Sequence, residues 1–213
     1  MTYSVKEIHY TLQGEGAQTG RPAVFLRFAG CNLWSGRAVD REEAICRFCD
    51  TDFVGTDGPG GGKFETAEVL ADAVCRAWPK ESGGSPYVVC TGGEPLLQLD
   101  RAAIDALHAA GFEIGVESNG TLAAPRGIDW LCISPKGNAP VVQTTGQELK
   151  LVYPQVEADA QPRMFTEMDF EYFFLQPLDS PELQTNTRSA IDYCLRHPQW
   201  KLSLQTHKFL GID

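Results

Sequence analysis

The chain has 213 residues, 43% of them apolar, and a formal net charge of −10 at pH 7; that composition excludes a disordered polymer and supplies no basic stripe for a nucleic-acid groove, so a small-molecule substrate is expected. No apolar run approaches the roughly 20 residues of a membrane helix, and residues 1–10 lack the charged head and apolar centre of a secretion signal. A cytoplasmic setting with reduced thiols is therefore expected, in which seven cysteines point to metal binding or packing rather than disulfides.

In chain order, residues 1–10 read as a mixed, strand-like stretch and residues 23–28 as a strand. The acidic run at residues 40–43 reads as a solvated helix start. Residues 55–63 are too rich in glycine for an element and read as a loop; no Gly-Lys-Ser/Thr follows at the spacing a nucleotide loop needs. Residues 65–78 predict a helix, with Val69, Leu70 and Val74 at helical spacing and Pro79 beyond the end. Residues 87–90 predict a short buried strand, residues 97–110 a helix stopped by Gly111, and residues 112–116 a strand. Further strands are expected at 130–133, 149–153, 172–175 and 201–204, and a late helix at 185–196. Alternating strands and helices imply parallel pairing through crossovers. A complete eight-fold barrel needs about 250 residues, so a partial, open parallel β/α barrel is expected, one domain over residues 1–213.

Polar clusters follow the strands directly: Thr91-Gly92-Gly93-Glu94, Glu117-Ser118-Asn119-Gly120, Ser134-Pro135-Lys136, Gln176-Pro177 and Gln205-Thr206-His207-Lys208. Ligands of parallel sheets and barrels bind at the carboxyl ends of strands, so these clusters are expected to ring one mouth. Polar loops are common anyway, but mere polarity explains the recurring carboxylates, amides and glycines less well.

Cys46 and Cys49 bracket two residues, and Cys31 lies before Cys46 with fourteen residues between them, just past the strand at 23–28. A closed structural zinc site needs four ligands; no histidine lies between His9 and His108, and Cys75 falls on an expected helix. Three thiolates suit a four-iron, four-sulfur cubane with one iron left open to a chelating ligand. Cys75, Cys90, Cys132 and Cys194 read as core thiols, His9, His108 and His197 as structural or solvated, and Trp34 and Trp130 as packing.

Phe48 before Cys49, with Gly92-Gly93-Glu94-Pro95, resembles the radical S-adenosylmethionine superfamily, whose usual spacing is Cys-x3-Cys-x2-Cys. The expanded gap here is similar to that of one family within it, 7-carboxy-7-deazaguanine synthase. The likeness continues through residues 10–16 (Tyr-Thr-Leu-Gln-Gly-Glu-Gly), 27–34, 49–52, 90–95, 134–136 and 205–208, nearly the whole chain. It implies an abbreviated barrel of the radical S-adenosylmethionine type with an expanded cluster-binding loop. It also implies conversion of 6-carboxy-5,6,7,8-tetrahydropterin to 7-carboxy-7-deazaguanine with loss of ammonia. The implied cofactors are one [4Fe-4S] cluster on Cys31, Cys46 and Cys49, S-adenosylmethionine, and Mg2+ on Thr51. For S-adenosylmethionine the likeness implies Gly93 and Glu94 at the methionine ammonium, and Phe48, Cys49 and Asp50 at the adenine. Glu117 and Ser134 would meet the ribose; Pro135, Lys136, Gln176, Pro177, Leu178 and Asp179 would complete that pocket. For the pterin it implies Leu12, Gln13, Gly14, Glu15, Arg27, Thr91 and His207, with the terminal carboxylate of Asp213 within reach. An electron donor such as flavodoxin and a homodimer are implied as partners.

Each residue also has a plainer reading. Glu15 can close the turn between Gly14 and Gly16, Arg27 can pair with a core carboxylate, and Thr51 can cap a turn. Two other functions stay open at this stage: a radical activating enzyme acting on a partner protein, and a zinc-stabilised binding module using the cysteines with His207.

Overall fold

The computed structural model describes residues 2–80 and 83–212. β1 (Tyr3–Leu12) folds back antiparallel on β2 (Pro22–Phe28), and β3 (Gly62–Phe64) adds antiparallel to the start of β1. α1 (Ala67–Ala77), β4 (Tyr87–Gly92), α2 (Arg101–Ala109), β5 (Glu113–Ser118) and β6 (Trp130–Ile133) follow. The chain ends with β7 (Thr145–Tyr153), β8 (Asp169–Pro177), α3 (Leu183–Arg196), β9 (Trp200–Leu202) and α4 (Thr206–Leu210). All nine strands among the described residues share one sheet, β3-β1-β2-β4-β5-β6-β7-β8-β9, parallel from β2 through β9.

The period of two along each strand decides what each face carries. Val24, Leu26 and Phe28 of β2, Val88 and Cys90 of β4, Ile114 and Val116 of β5, Leu131 and Ile133 of β6, and Leu149 and Leu151 of β7 form the main core. Leu70 and Val74 of α1 and Ile104 and Leu107 of α2 pack into it and are fully buried, each worth about 1.5–3 kcal/mol. The intervening residues face the other way: Phe25 and Arg27, Thr91, Glu117, Lys150 and Val152, and Gln176 all line a cavity there. In β1 the register slips between Val5 and Glu7, a bulge that turns Lys6 as well as Glu7 toward the cavity.

The two arms of the sheet meet across that face. The segment after β1 donates Gly16 N to Ser203 Oγ (2.9 Å) and Ala17 N to Glu148 Oε2 (3.1 Å), and its Gly14 carbonyl accepts from Thr206 N (2.9 Å). A smaller cluster of Ala23, Tyr87 and Val89 with Phe25 fills the base of this face.

The strand and helix expectations hold in position, with shifted ends. The helix expected from residue 97 starts at Arg101, because the Asp100 carboxylate accepts from Ala103 N and caps it. The preceding Pro95–Leu97 is a 3-10 turn capped by Glu94. β7 and β8 begin earlier than their apolar runs, at Thr145 and Asp169. The glycine loop at 55–63 is a loop only to Gly61, since Gly62 and Lys63 pair with Val5 and Ser4. No helix starts at 40–43: a single 3-10 turn, Ala38–Asp40, ends there, with Asp40 bonded to Ser35 Oγ. Helical crossovers link β4 to β5 and β8 to β9, whereas β5 to β8 are joined by loops and 3-10 turns. Cys75, expected in the core, is exposed on the outer side of α1, and Cys194 is only half-buried. None of the described helices is long and apolar enough to cross a membrane.

Candidate active site

A cavity of about 430 Å³ opens at the carboxyl ends of the strands, within the size range of small-molecule sites. One end is made of thiols. Cys31 follows β2, and Cys46 and Cys49 sit on the long segment between β2 and β3. Cys46 hydrogen-bonds Cys49; that bond lowers the Cys49 thiol to about 6, while the same bond and burial push Cys46 up. Burial also raises the Cys31 thiol, which feels the charge of Cys49, and Cys46 feels the charges of both Cys49 and Cys31. Behind them Trp34, Ala44 and Phe53 form an apolar cluster that packs on Cys31 and Cys49. Arg41 lies over Trp34 and donates to the carbonyls of Arg47 (2.7 Å) and Cys49 (3.0 Å), tying the loop to itself.

Gly93 meets this end through its backbone. A Cβ there would overlap Gly30 O and press on Cys31 Cβ, so only glycine lets the β4 exit lie against the thiol loop. Glu94 is not at the cavity wall. It is fully buried, accepting from Ser118 Oγ (2.8 Å), Asn119 N (2.8 Å) and Leu96 N (2.9 Å). Its carboxylate thus braces the turns after β4 and β5. Burial pushes its carboxyl up against those three donors.

The opposite end is made of carboxylates around one lysine. Lys150 Nζ lies 2.6 Å from Glu15 Oε2 and 3.0 Å from Glu117 Oε2, with its side chain 3% exposed. Gln13 Nε2 donates to Glu117 Oε1 (2.8 Å) and Gln205 Nε2 to Glu15 Oε1 (3.0 Å). Burial favours the neutral Glu15 acid, but the Lys150 charge and hydrogen bond outweigh it and hold the carboxyl at about 2. Gly14 lies against the His207 ring so closely that no Cβ fits.

The rim is ionic. Lys208 Nζ bridges Asp50 (2.6 Å) and Asp179 (2.5 Å), Lys6 Nζ bridges Asp52 (2.9 Å) and Asp57 (2.8 Å), and Lys136 Nζ folds back onto Ser134 O and Oγ. Arg27 uses one of its five donors, Nε, on Glu7 Oε1 (2.7 Å).

Of the residues singled out in the sequence, Leu12, Gln13, Gly14, Glu15, Arg27, Cys31, Cys46, Phe48, Cys49, Asp50, Thr51, Thr91, Gly93, Glu117, Ser134, Lys136, Gln176, Pro177, Leu178, Asp179 and His207 all line this cavity. Glu94 and Pro135 do not, and Asp213 lies outside the described residues. Glu117, expected at a ribose, is bonded to Gln13 and Lys150 at the carboxylate end. Lys6, Glu7, Phe25, Asp52 and Lys150 line the cavity without a site role having been expected of them, as does His9, expected to be structural or solvated. The available signal for Lys150 was a cation inside an apolar strand, between Leu149 and Leu151. Lys6, Glu7 and His9 were hidden by the β1 bulge, which breaks the alternation.

Among the described residues no group of three or more His, Cys, Asp or Glu side chains is gathered tightly enough for a single metal ion, so a zinc site of three cysteines and His207 is not preformed. A cubane sets its thiolates farther apart than one ion does, and three thiols on one cavity wall suit it. Thr51 lies between Asp50 and Asp52, each held by a lysine, and its oxygen fits a magnesium ion that keeps most of its waters.

No family model matches the chain. It is 65% identical over 214 residues to the 7-carboxy-7-deazaguanine synthase of Caulobacter vibrioides and 64% identical over 212 residues to that of Bradyrhizobium diazoefficiens, covering 100% of both chains in each case. The Nitratidesulfovibrio vulgaris protein of the same name is 54% identical over 217 residues, again at full coverage. Among solved structures, QueE from Escherichia coli superposes with a TM-score of 0.72 at 26% identity, over 96% of this chain and 94% of that one.

Proposed function

The chain belongs to the 7-carboxy-7-deazaguanine synthase family, and we propose that it converts 6-carboxy-5,6,7,8-tetrahydropterin to 7-carboxy-7-deazaguanine with loss of ammonia, in queuosine and deazapurine biosynthesis. The observation that carries this reading is one cavity with three thiols at one end and a hydrogen-bonding set of Gln13, Glu15 and Glu117 at the other. A cofactor held at the thiols then faces a planar, polar substrate without a wall between them.

In this reading the curled sheet is an open barrel of the radical S-adenosylmethionine type, and residues 1–213 act as one domain. Cys31, Cys46 and Cys49 hold a [4Fe-4S] cluster, Gly93 offers its backbone to the methionine end of S-adenosylmethionine, and Glu94 fixes that backbone from behind. Phe48 and Asp50, Ser134 and Lys136, and the 176–179 segment surround the rest of that cofactor. When bound, the cluster and S-adenosylmethionine supply hydrogen-atom abstraction from the substrate. Arg27 meets the substrate carboxylate with the donors Glu7 leaves over. Gln13, Gly14, Glu15, Thr91 and His207 hold the pterin ring, and Thr51 holds Mg2+. An electron donor such as flavodoxin, a homodimer and a cytoplasmic setting complete the reading.

The test is anaerobic reconstitution with iron and sulfide, then incubation with S-adenosylmethionine, reductant and the carboxytetrahydropterin. Brown protein and a new deazaguanine chromophore are expected. Brown protein that cleaves S-adenosylmethionine but forms no deazaguanine would reject the substrate.

A further inference from the structure

We infer that Lys150 is a positioning residue: its buried ammonium, shared by Glu15 and Glu117, holds both carboxylates in place at the substrate end and pins the segment after β1 against the sheet. The inference deepens the proposed function and rests on it for the identity of that end.

The geometry divides the carboxylate oxygens cleanly. Each glutamate gives one oxygen to Lys150, at 2.6 and 3.0 Å. Each gives the other to an amide: Glu117 to Gln13 Nε2 and Glu15 to Gln205 Nε2. The Gln13 carbonyl oxygen in turn accepts from Glu15 N at 3.1 Å. Lys150 therefore anchors a chain of hydrogen bonds. Glu117 Oε2 faces Lys150 and its Oε1 accepts from Gln13 Nε2, so the Gln13 amide presents its NH2 to Glu117 and its carbonyl to Glu15 N. The donor and acceptor pattern offered to a heterocycle is thus fixed by a side chain at the base of the wall.

Burial makes this role demanding. Lys150 sits on β7 between core leucines, its side chain almost wholly enclosed. The titratable groups facing the trio are Glu148 of β7, Cys132 of β6, Tyr87 of β4 and His207 of α4. Burial raises the Glu148 carboxyl, which accepts from Ala17 N and Cys132 Sγ; Glu15 and Glu117 are therefore the anions that Lys150 balances. Although burial disfavours the Lys150 charge, those two carboxylates raise its affinity for the proton well above the usual lysine range. Removing the ammonium leaves Glu15 enclosed without its counter-charge, and it should take up a proton more readily.

The experiment compares wild type with Lys150→Met and Lys150→Arg, reconstituted alike. Carbon-13 labelled glutamate gives a direct reading of protonation. Wild type should show Glu15 ionised throughout about pH 5–8, whereas Lys150→Met should bring it into titration within that window. For turnover of the carboxytetrahydropterin, kcat/KM of Lys150→Met should fall about 100-fold at pH 6.5. It should then climb by up to tenfold per pH unit as Glu15 ionises, a limb absent from wild type. Lys150→Arg should restore much of the loss. Iron content and S-adenosylmethionine affinity should stay the same in all three. If the glutamate signals of Lys150→Met match wild type, or its loss is equal at every pH, the inference is overturned. If wild type itself forms no deazaguanine, the substrate reading fails, while the glutamate signals still decide the role of Lys150. Should Lys150→Met not accumulate, Lys150→Met/Glu117→Gln leaves Glu15 as the reporter: a raised titration supports the inference and an unshifted one rejects it.

Discussion

The two ends of the cavity are built in opposite ways. At the thiol end, the chain from Cys31 to Phe53 contains a single 3-10 turn of regular structure. It is held by side chains reaching to backbone or across the surface: Arg41 to two carbonyls, Trp34 on Phe53, Lys6 to aspartates that are 71% and 80% exposed. At the carboxylate end, Glu117 of β5 and Lys150 of β7 stand on strands either side of β6, and ladder hydrogen bonds fix where their side chains start. A metal centre can order a loop that brings its ligands from distant points in the sequence, because binding free energy then serves as folding free energy. Recognition of a planar ring has no such external source of order and needs groups placed beforehand. Loop at one end and strand at the other thus follow from what each end must hold.

The comparison is tested most severely by removing a thiol. Cys46→Ser or Cys49→Ser should reduce turnover to background, with iron content lost in parallel and the 31–53 segment opened to proteolysis. The glutamate signals of the carboxylate end should not move. Cys75→Ser, an exposed position on α1, should leave iron content and activity unchanged. Disturbance of Glu15 and Glu117 in the thiol variants would show that the two ends are one cooperative structure.

The next effect in size comes from Glu94, which joins the regions by bracing both the turn beside Cys31 and the turn after β5. Glu94→Gln turns one acceptor into a donor facing Asn119 N or the Ser118 and Leu96 donors. Leaving such a buried donor unsatisfied should cost about 2–3 kcal/mol, read as a lower urea midpoint with unchanged slope. Gly93→Ala, which sets a Cβ against the Gly30 carbonyl, should lose a similar amount at the same seam.

Acid should loosen the carboxylate end first. Glu15, at about 2 when folded, lies below its unfolded value of about 4.3. Its contribution is therefore complete above that unfolded value and is lost as pH falls toward 2. Glu94 and Glu148 are shifted the other way; their contribution is complete below the unfolded value and is lost as pH rises through their folded ones. Stability measured by denaturant from about pH 5 to pH 2 should fall in wild type by at most about 3 kcal/mol on account of Glu15. That part of the slope should vanish in Glu15→Gln. An unchanged slope would mean that Lys150 does not hold Glu15 as the distances indicate.

Where sequence reading succeeded and failed follows the same division. Strand alternation made the inner and outer faces legible from Val24, Leu26 and Phe28 against Phe25 and Arg27, and the clusters after each strand named most of the cavity wall. Cys31, Cys46 and Cys49 were legible by spacing and residue type. What escaped depended on contacts between distant segments. Nothing local to Glu94 says that Ser118 and Asn119 will turn its carboxylate inward, and nothing local to Lys150 says that Glu15 will cross from β1 to meet it. The β1 bulge removed the period that would have placed Lys6, Glu7 and His9, and Cys75 shows that an apolar helix stretch does not decide which side a small thiol takes.

The smallest effect is expected at the rim, where Lys208 joins Asp50 of the thiol loop to Asp179 beyond β8. All three side chains are more than a third exposed, so water screens the pairs, and Lys208→Met should lower stability by only about 0.5–1 kcal/mol, less at high salt. Because Asp50 and Asp179 both border the region proposed for S-adenosylmethionine, the KM for that compound should rise by no more than about threefold, with kcat unchanged. The distinction between a built end and an end completed by its ligand requires this modest result. A loss above about 2 kcal/mol, or a fall in kcat, would mean that the rim is as fixed in advance as the strands beneath it, and the thiol loop would then owe its order to the protein rather than to the cluster.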